Sequence, residues 1–167
     1  MPATKAAWNK PSESPTLANA TEAGRAYNRD DTLYLTTFGT YYPFIPEIIQ
    51  PGDVYWHIVE LEESRPVVWD YRWCTRTSKS LDENFAQIQV EFFLNEEPVP
   101  QRFIADVEYI WTKDVFCRAL VILVEHWPAG IHLLESRVTF LEPILKEQDL
   151  LPEGTHVFKY WVNVWPY

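Results

Sequence analysis

The chain has 167 residues and carries 24 Asp and Glu against 14 Lys and Arg, a formal net charge of -10. One domain of this length buries roughly two-thirds of the surface its unfolded chain exposes, and 47% hydrophobic against 23% charged residues excludes a wholly disordered chain. The acidic balance argues against a nucleic-acid partner, no apolar run of about 18 residues offers a membrane span, and 8 Trp, 9 Tyr and 9 Phe tilt the composition toward β-structure.

Residues 1–31 are rich in Ala, Ser, Thr, Asn and Pro, with Trp8 and Tyr27 as their only aromatics. Their charges cancel: Lys5, Lys10, Arg25 and Arg29 stand against Glu13, Glu22, Asp30 and Asp31, so the whole net charge sits on 32–167. Such a composition predicts a linker, stalk or extended arm that adds little to the stability of a domain over 32–167. An alternative is an arm that packs on a neighbouring subunit with Trp8 as its anchor. The segment also holds one Asn-Ala-Thr sequon at Asn19.

From residue 32 the pattern is strand after strand. Residues 32–42 are apolar and β-branched, and Pro43, Pro46 and Pro51-Gly52 break the run. Residues 54–62 put Tyr55, His57, Val59 and Leu61 on one side. Residues 67–75 alternate, with Val67, Trp69, Tyr71 and Trp73 on one face. In 87–94, Ile88, Val90, Phe92 and Leu94 point inward while Gln87, Gln89 and Glu91 point outward. A turn at 95–98 precedes strands over 103–112 and 117–125, and the unbroken apolar run 119–124 fits a strand inside a packed sandwich. Residues 81–86 offer one helical turn, and no longer helix is expected.

The last third repeats itself at an offset of 24 residues. Trp127-Pro128-Ala129-Gly130-Ile131-His132-Leu133 matches Leu151-Pro152-Glu153-Gly154-Thr155-His156-Val157. In each copy Pro fixes φ and Gly supplies a positive φ at the turn that opens a strand. The apolar faces then align, with His132, Leu134, Ser136, Val138 and Phe140 matching His156, Phe158, Tyr160, Val162 and Val164. Short strands separated by frequent turn signals predict an all-β fold, an antiparallel two-sheet sandwich with an N-terminal extended arm; a lipocalin-like closed barrel is the alternative.

Cys74 and Cys117 are the two cysteines, and an even pair in a small β-rich chain predicts one disulfide in an oxidising compartment. Two buried free thiols are the alternative. The N-terminus has no apolar signal core, so an exported protein would be represented here by its mature segment.

The run Val90-Glu91-Phe92-Phe93-Leu94-Asn95-Glu96-Glu97-Pro98-Val99 resembles the strand–turn–strand of immunoglobulin-like modules in bacterial surface proteins. Leu120 to Val124 and the Trp127-Pro128-Ala129-Gly130 turn resemble their late strands, and the strand from Leu151 to Val164 resembles their closing one. The likeness covers about residues 67–164 and implies an immunoglobulin-like β-sandwich, a scaffold or binding module with no catalytic residues. Two features depart from it. Glu96 follows Asn95 where Gly is usual, which argues against a tight two-residue turn. Trp73 directly precedes Cys74, so the Cys, Trp, Cys arrangement of antibody domains is not reproduced.

No nucleophile elbow, Walker A or dinucleotide fingerprint is present, and no pair of carboxylates among Glu60, Glu62, Glu63, Asp106 and Glu108 stands out as catalytic. Neither enzymatic activity nor a cofactor is therefore expected. His132 and His156 occupy the faces of repeated strands and approach each other if those strands pair, but a metal site needs a third ligand, and no metal is assigned. Calcium has no recognisable loop motif here. The aromatics are the clearer signal. On the last strand Val157, Lys159, Trp161, Asn163 and Trp165 share the face opposite the apolar one, and Trp161 and Trp165 lie about 13 Å apart along it. Trp56 and Trp69 extend the expected patch. These residues predict an extracellular or cell-surface contact module, structural or adhesive, that binds a protein partner or copies of itself; a carbohydrate-binding module is the alternative.

Overall fold

The computed structural model describes residues 8–37, 39–41, 51–61 and 65–166. Pro43 and Pro46, expected to break the first strand, and the acidic Glu62 and Glu63 lie outside the described residues. Among the described residues the strands are β1 (Thr16–Leu17), β2 (Leu33–Tyr34), β3 (Gly39–Tyr41), β4 (Val54–Leu61), β5 (Val67–Thr75), β6 (Ile88–Leu94), β7 (Glu97–Pro98), β8 (Ala105–Thr112), β9 (Val115–Glu125), β10 (Gly130–Phe140), β11 (Ile144–Lys146), β12 (Asp149–Leu151) and β13 (Gly154–Val164). Two α-helices, α1 (Ala20–Tyr27) and α2 (Ser78–Phe85), and two single 3-10 turns, Leu35–Thr37 and Gln101–Phe103, complete the elements.

Eleven of the strands form two open sheets that face each other, and β11 and β12 pair as a separate two-stranded hairpin. The first runs β2-β5-β9, with β1 and β8 side by side along the far edge of β9; the second runs β3-β4-β13-β10-β6-β7. Neither closes on itself, so the barrel alternative does not form. Alternation puts Trp69, Ile122 and Val124 of the first sheet against Phe92, Leu134 and Val162 of the second, and these side chains make the main core. The inward set expected for β4 is buried, and those for β5 and β6 are buried except for the half-buried Tyr71 and Val90; Val68 is buried as well, on the opposite face of β5.

The pairing is not wholly antiparallel, as the sequence pattern had suggested. β4 lies parallel to β13, with Val54 opposite Val157 and Leu61 opposite Val164, and β2 lies parallel to β5. Only sequence neighbours joined by a tight turn must run antiparallel. β4 and β13 lie far apart in the chain, so their connection leaves either direction open.

The two repeat strands do pair with each other. β10 and β13 are antiparallel over their full length, from Gly130 opposite Val164 to Phe140 opposite Gly154. Gly130 and Gly154 have φ of +124° and +130°. A Cβ on Gly154 would come within 2.6 Å of Pro51 Cβ, so that turn needs glycine for space as well as for φ.

Cys74 and Cys117 are direct partners on β5 and β9, and they form a disulfide with a Cα separation of 4.1 Å. The bond closes a sequence separation of 43 residues, which in the chain-entropy account stabilises the fold by about 4 kcal/mol.

Residues 8–31, read from composition as a linker, stalk or arm of little stabilising value, lie against the body within their described part. Lys10 pairs with Glu97, Ser14 Oγ accepts from Asn95 Nδ2, and β1 adds to the edge of β9. Helix α1 then covers the outer face of the first sheet, where Ala23 and Tyr27 pack with Val68, Ala105, Ala119, Val121 and Leu123. Asn19 caps this helix by accepting from Glu22 N–H at 3.0 Å, and Glu22 sits in the first turn, where a negative charge suits the helix dipole. Helix α2, longer than the single turn expected, starts at a Thr77 cap and buries Leu81 and Phe85. The stabilising surface of residues 8–31 comes from Ala18, Ala23 and Tyr27 packed on the sheet, which composition alone undervalues.

Candidate functional site

The outer face of the second sheet carries three of the four tryptophans expected in the binding patch. β13 turns Lys159, Trp161 and Asn163 outward because Phe158, Tyr160 and Val162 face the core. Its parallel register with β4 puts Trp56 opposite Lys159, Ile58 opposite Trp161 and Glu60 opposite Asn163. The Trp56 and Trp161 rings stack with centroids 6.0 Å apart and planes 1° from parallel. The Lys159 ammonium lies 5.1 Å above the Trp56 ring. Trp165 is 53% exposed and donates through Nε1 to Glu60 Oε2 at 2.7 Å, an oxygen that also accepts from Asn163 Nδ2.

Trp69 does not belong to this face. It is 1% exposed in the main core, edge-on to Phe92 at 5.0 Å, and its Nε1 donates to Ser136 Oγ across the two sheets. Its place follows from the alternation of β5, which sends Trp69 inward with Val67 and Tyr71. Sequence reasoning also missed three members of the face. Ile58 and Ile131 are 46% and 48% exposed beside the tryptophans. Trp8 packs edge-on against Trp161 with centroids 5.6 Å apart and donates to the Ile131 carbonyl at 3.4 Å. Trp8 therefore anchors on its own chain. The available signal was the apolar Ile58 between outward-facing polar and aromatic positions of β4.

The two repeat histidines are separated by the same register that pairs their strands. His132 lies opposite Val162 and His156 opposite Val138. Six residues of strand, about 20 Å, lie between the two positions. No cluster of three metal-ligating side chains occurs among the described residues.

A second concavity lies between the sheets. Beyond Val68 no strand pairs with the outer edge of β5 among the described residues, and a cavity of about 710 Å³ opens there. Its inner wall is aromatic: Tyr71, Trp73, Phe140, Phe158 and Tyr160, with His156 among them. Phe140 stands edge-on to both Trp73 and His156, at 5.7 and 5.1 Å. The rim is polar and charged, with Asp70, Arg72, Lys146 and Asp149. Tyr27 Oη donates to Asp70 at 3.3 Å and lies 3.1 Å from Tyr109 Oη, which accepts from Arg72. Burial raises the Asp70 carboxyl above its ordinary range, against the pull of Arg72 and the Tyr27 hydrogen bond. Burial also holds His156 down to about 4, so the ring is neutral at pH 7.

No protein-family model matches the sequence, and no curated protein matches it.

Proposed function

We propose that this chain is a non-catalytic module, structural or adhesive, that makes protein–protein contacts outside the cell or at its surface through the outer face of β4, β13 and β10. One observation carries the reading: Ile58, Ile131 and Trp165 stand exposed side by side with the Trp56–Trp161 stack. Contiguous apolar groups of this size mark contact surfaces, and a partner that desolvates indoles gains much of its binding energy from them. Groups free to bind sugar hydroxyls are few, since Asn163 and Trp165 both donate to Glu60 and Lys159 is drawn to Glu135 at 3.5 Å. That balance favours a protein surface over a glycan.

A second copy of the chain is the partner to test first. The charges of the face cancel, Glu60 and Glu135 against Arg137 and Lys159, so the acidic surplus lies elsewhere and does not oppose a like contact there. The disulfide supports an oxidising compartment. Two facing, mostly antiparallel sheets support an immunoglobulin-like sandwich, although this disulfide joins neighbouring strands of one sheet, unlike the inter-sheet bridge of antibody domains.

Sedimentation velocity over a concentration series tests the reading. The parent protein should self-associate, and an Ile58→Lys, Ile131→Lys variant of retained circular dichroism should do so at least about tenfold more weakly. A monomeric parent that binds a glycan array, with binding lost in Trp161→Ala, would instead identify a carbohydrate-binding module. Equal behaviour of parent and variants in both assays sinks the contact-face reading altogether.

A further inference from the structure

The inter-sheet space of about 710 Å³ opens to solvent at the edge of β5. Its size falls in the range of small-molecule sites. The space is separate from the outer tryptophan face, and the chemistry of its walls restricts what it can hold. Flat rings line the interior, and flat rings receive another ring by stacking or edge contact. Behind them, Trp73 Nε1 and His156 Nδ1 are sealed in the wall without any hydrogen-bond partner. Burial raises the Tyr71 hydroxyl of the same wall well above its ordinary range. The two sealed nitrogens without partners are costly, and a hydroxyl brought within reach of them relieves that cost.

Charge narrows the class further. The carboxylates of Asp70, Glu147 and Asp149 flank the entrance. Both cations there are engaged, Arg72 with Tyr109 and the Trp111 ring, and Lys146 over the Trp73 ring at 4.7 Å. An anion meets this rim unfavourably. A cation seated inside would lack a counter-charge, since the inner wall carries no charged group at pH 7.

We infer that the inter-sheet cavity binds an uncharged, flat aromatic molecule bearing a hydroxyl group, its ring held among Tyr71, Trp73, Phe140 and Phe158. The ligand hydroxyl exchanges a hydrogen bond with Tyr71 Oη. A turn of the Trp73 or His156 ring lets a sealed nitrogen join it, with Trp73 donating and neutral His156 accepting.

The test uses the full chain and 2-naphthol as probe, titrated by calorimetry, with naphthalene and 2-naphthoate as comparisons. Saturable 2-naphthol binding is expected with a Kd below about 1 mM. Naphthalene, which lacks the hydroxyl, and the anionic 2-naphthoate should each bind about fivefold to tenfold more weakly. Tyr71→Phe should remove the preference for 2-naphthol over naphthalene, and Leu151→Trp, which adds bulk to the lining, should abolish binding of both. Ile58→Lys, Ile131→Lys on the outer face should change neither, so failure here is separable from failure of the contact-face reading. Absence of saturable binding overturns the inference, as does binding that Leu151→Trp leaves intact or that the outer-face variant removes. Should Tyr71→Phe lose its circular dichroism signature, the Leu151→Trp result decides alone.

Discussion

Asn95 donates through Nδ2 to Nδ1 of His132 at 3.1 Å, with both side chains 0% exposed. The proton assignment follows from the other ring nitrogen. His132 Nε2 lies 2.8 Å from the Pro128 carbonyl, which can only accept, so Nε2 carries the hydrogen and Nδ1 is the acceptor. Asn95 also accepts from Leu133 N–H at 2.9 Å and donates to Ser14 Oγ. One buried amide thus links the β6–β7 turn, the start of β10 and the N-terminal segment. Asn95→Ala should cost about 2–4 kcal/mol, because it leaves the Leu133 N–H and His132 Nδ1 buried without partners. The midpoint of urea unfolding measures it, and a loss below about 0.5 kcal/mol would show the network to be dispensable.

The turn beside it is tight, contrary to the expectation from Glu96. Leu94 pairs with Glu97, leaving Asn95 and Glu96 as a two-residue loop with φ of +49° and +70°. Both positive values belong to the type I′ hairpin turn, in which glycine is favoured at the second position. Glu96 holds that conformation against its own Cβ. Glu96→Gly should therefore raise stability by about 1 kcal/mol, visible as a higher melting temperature. An unchanged or lower value would place the strain elsewhere.

Stability should fall between pH 6.5 and 4. Burial depresses both His57 and His156 to about 4 in the fold, while an unfolded histidine titrates near its ordinary value of 6.5. The unfolded chain therefore binds more protons across this window, and the stabilisation is complete above pH 6.5, shrinks on acidification and levels off below pH 4. Asp70, raised by burial, acts in the opposite sense in the acid part of the window. Each of the two histidines contributes about 3 kcal/mol at the limit. Urea midpoints at pH 7.5 and 4.5 test the sign, and His156→Leu should flatten the decline. A parent protein more stable at pH 4.5 than at 7.5 contradicts it.

Removal of residues 1–31 should lower the melting temperature by well over 5 °C. Tyr27 and Ala23 leave the outer face of the first sheet, and Val68, Ala119 and Val121, now 0% exposed, meet water. At about 25 cal/mol per Å² of apolar surface, uncovering such a patch costs several kcal/mol. A truncated chain that melts with the parent would return this segment to the status of a free arm.

Local pattern was enough for much of the fold. The inward sets of β4, β5 and β6, the two Pro-x-Gly turns and the outward set of β13 follow from period-two alternation and residue conformation, which neighbouring residues decide among themselves, while the bond between Cys74 and Cys117 was legible because they are the two cysteines of the chain. Helix α1 was readable in part, through Asn19 followed three residues later by Glu22, but Gly24 and the polar composition around it masked the signal. What alternation cannot supply is which strand lies beside which. The parallel seat of β4 on β13 stacks Trp56 on Trp161, and antiparallel register carries His132 and His156 to opposite ends of one strand pair. The inter-sheet cavity draws on β5, β10, β13 and the β11–β12 hairpin at once. Each of these arrangements depends on contacts between segments far apart in the chain, and a two-residue period is the same whichever partner the strand finally meets.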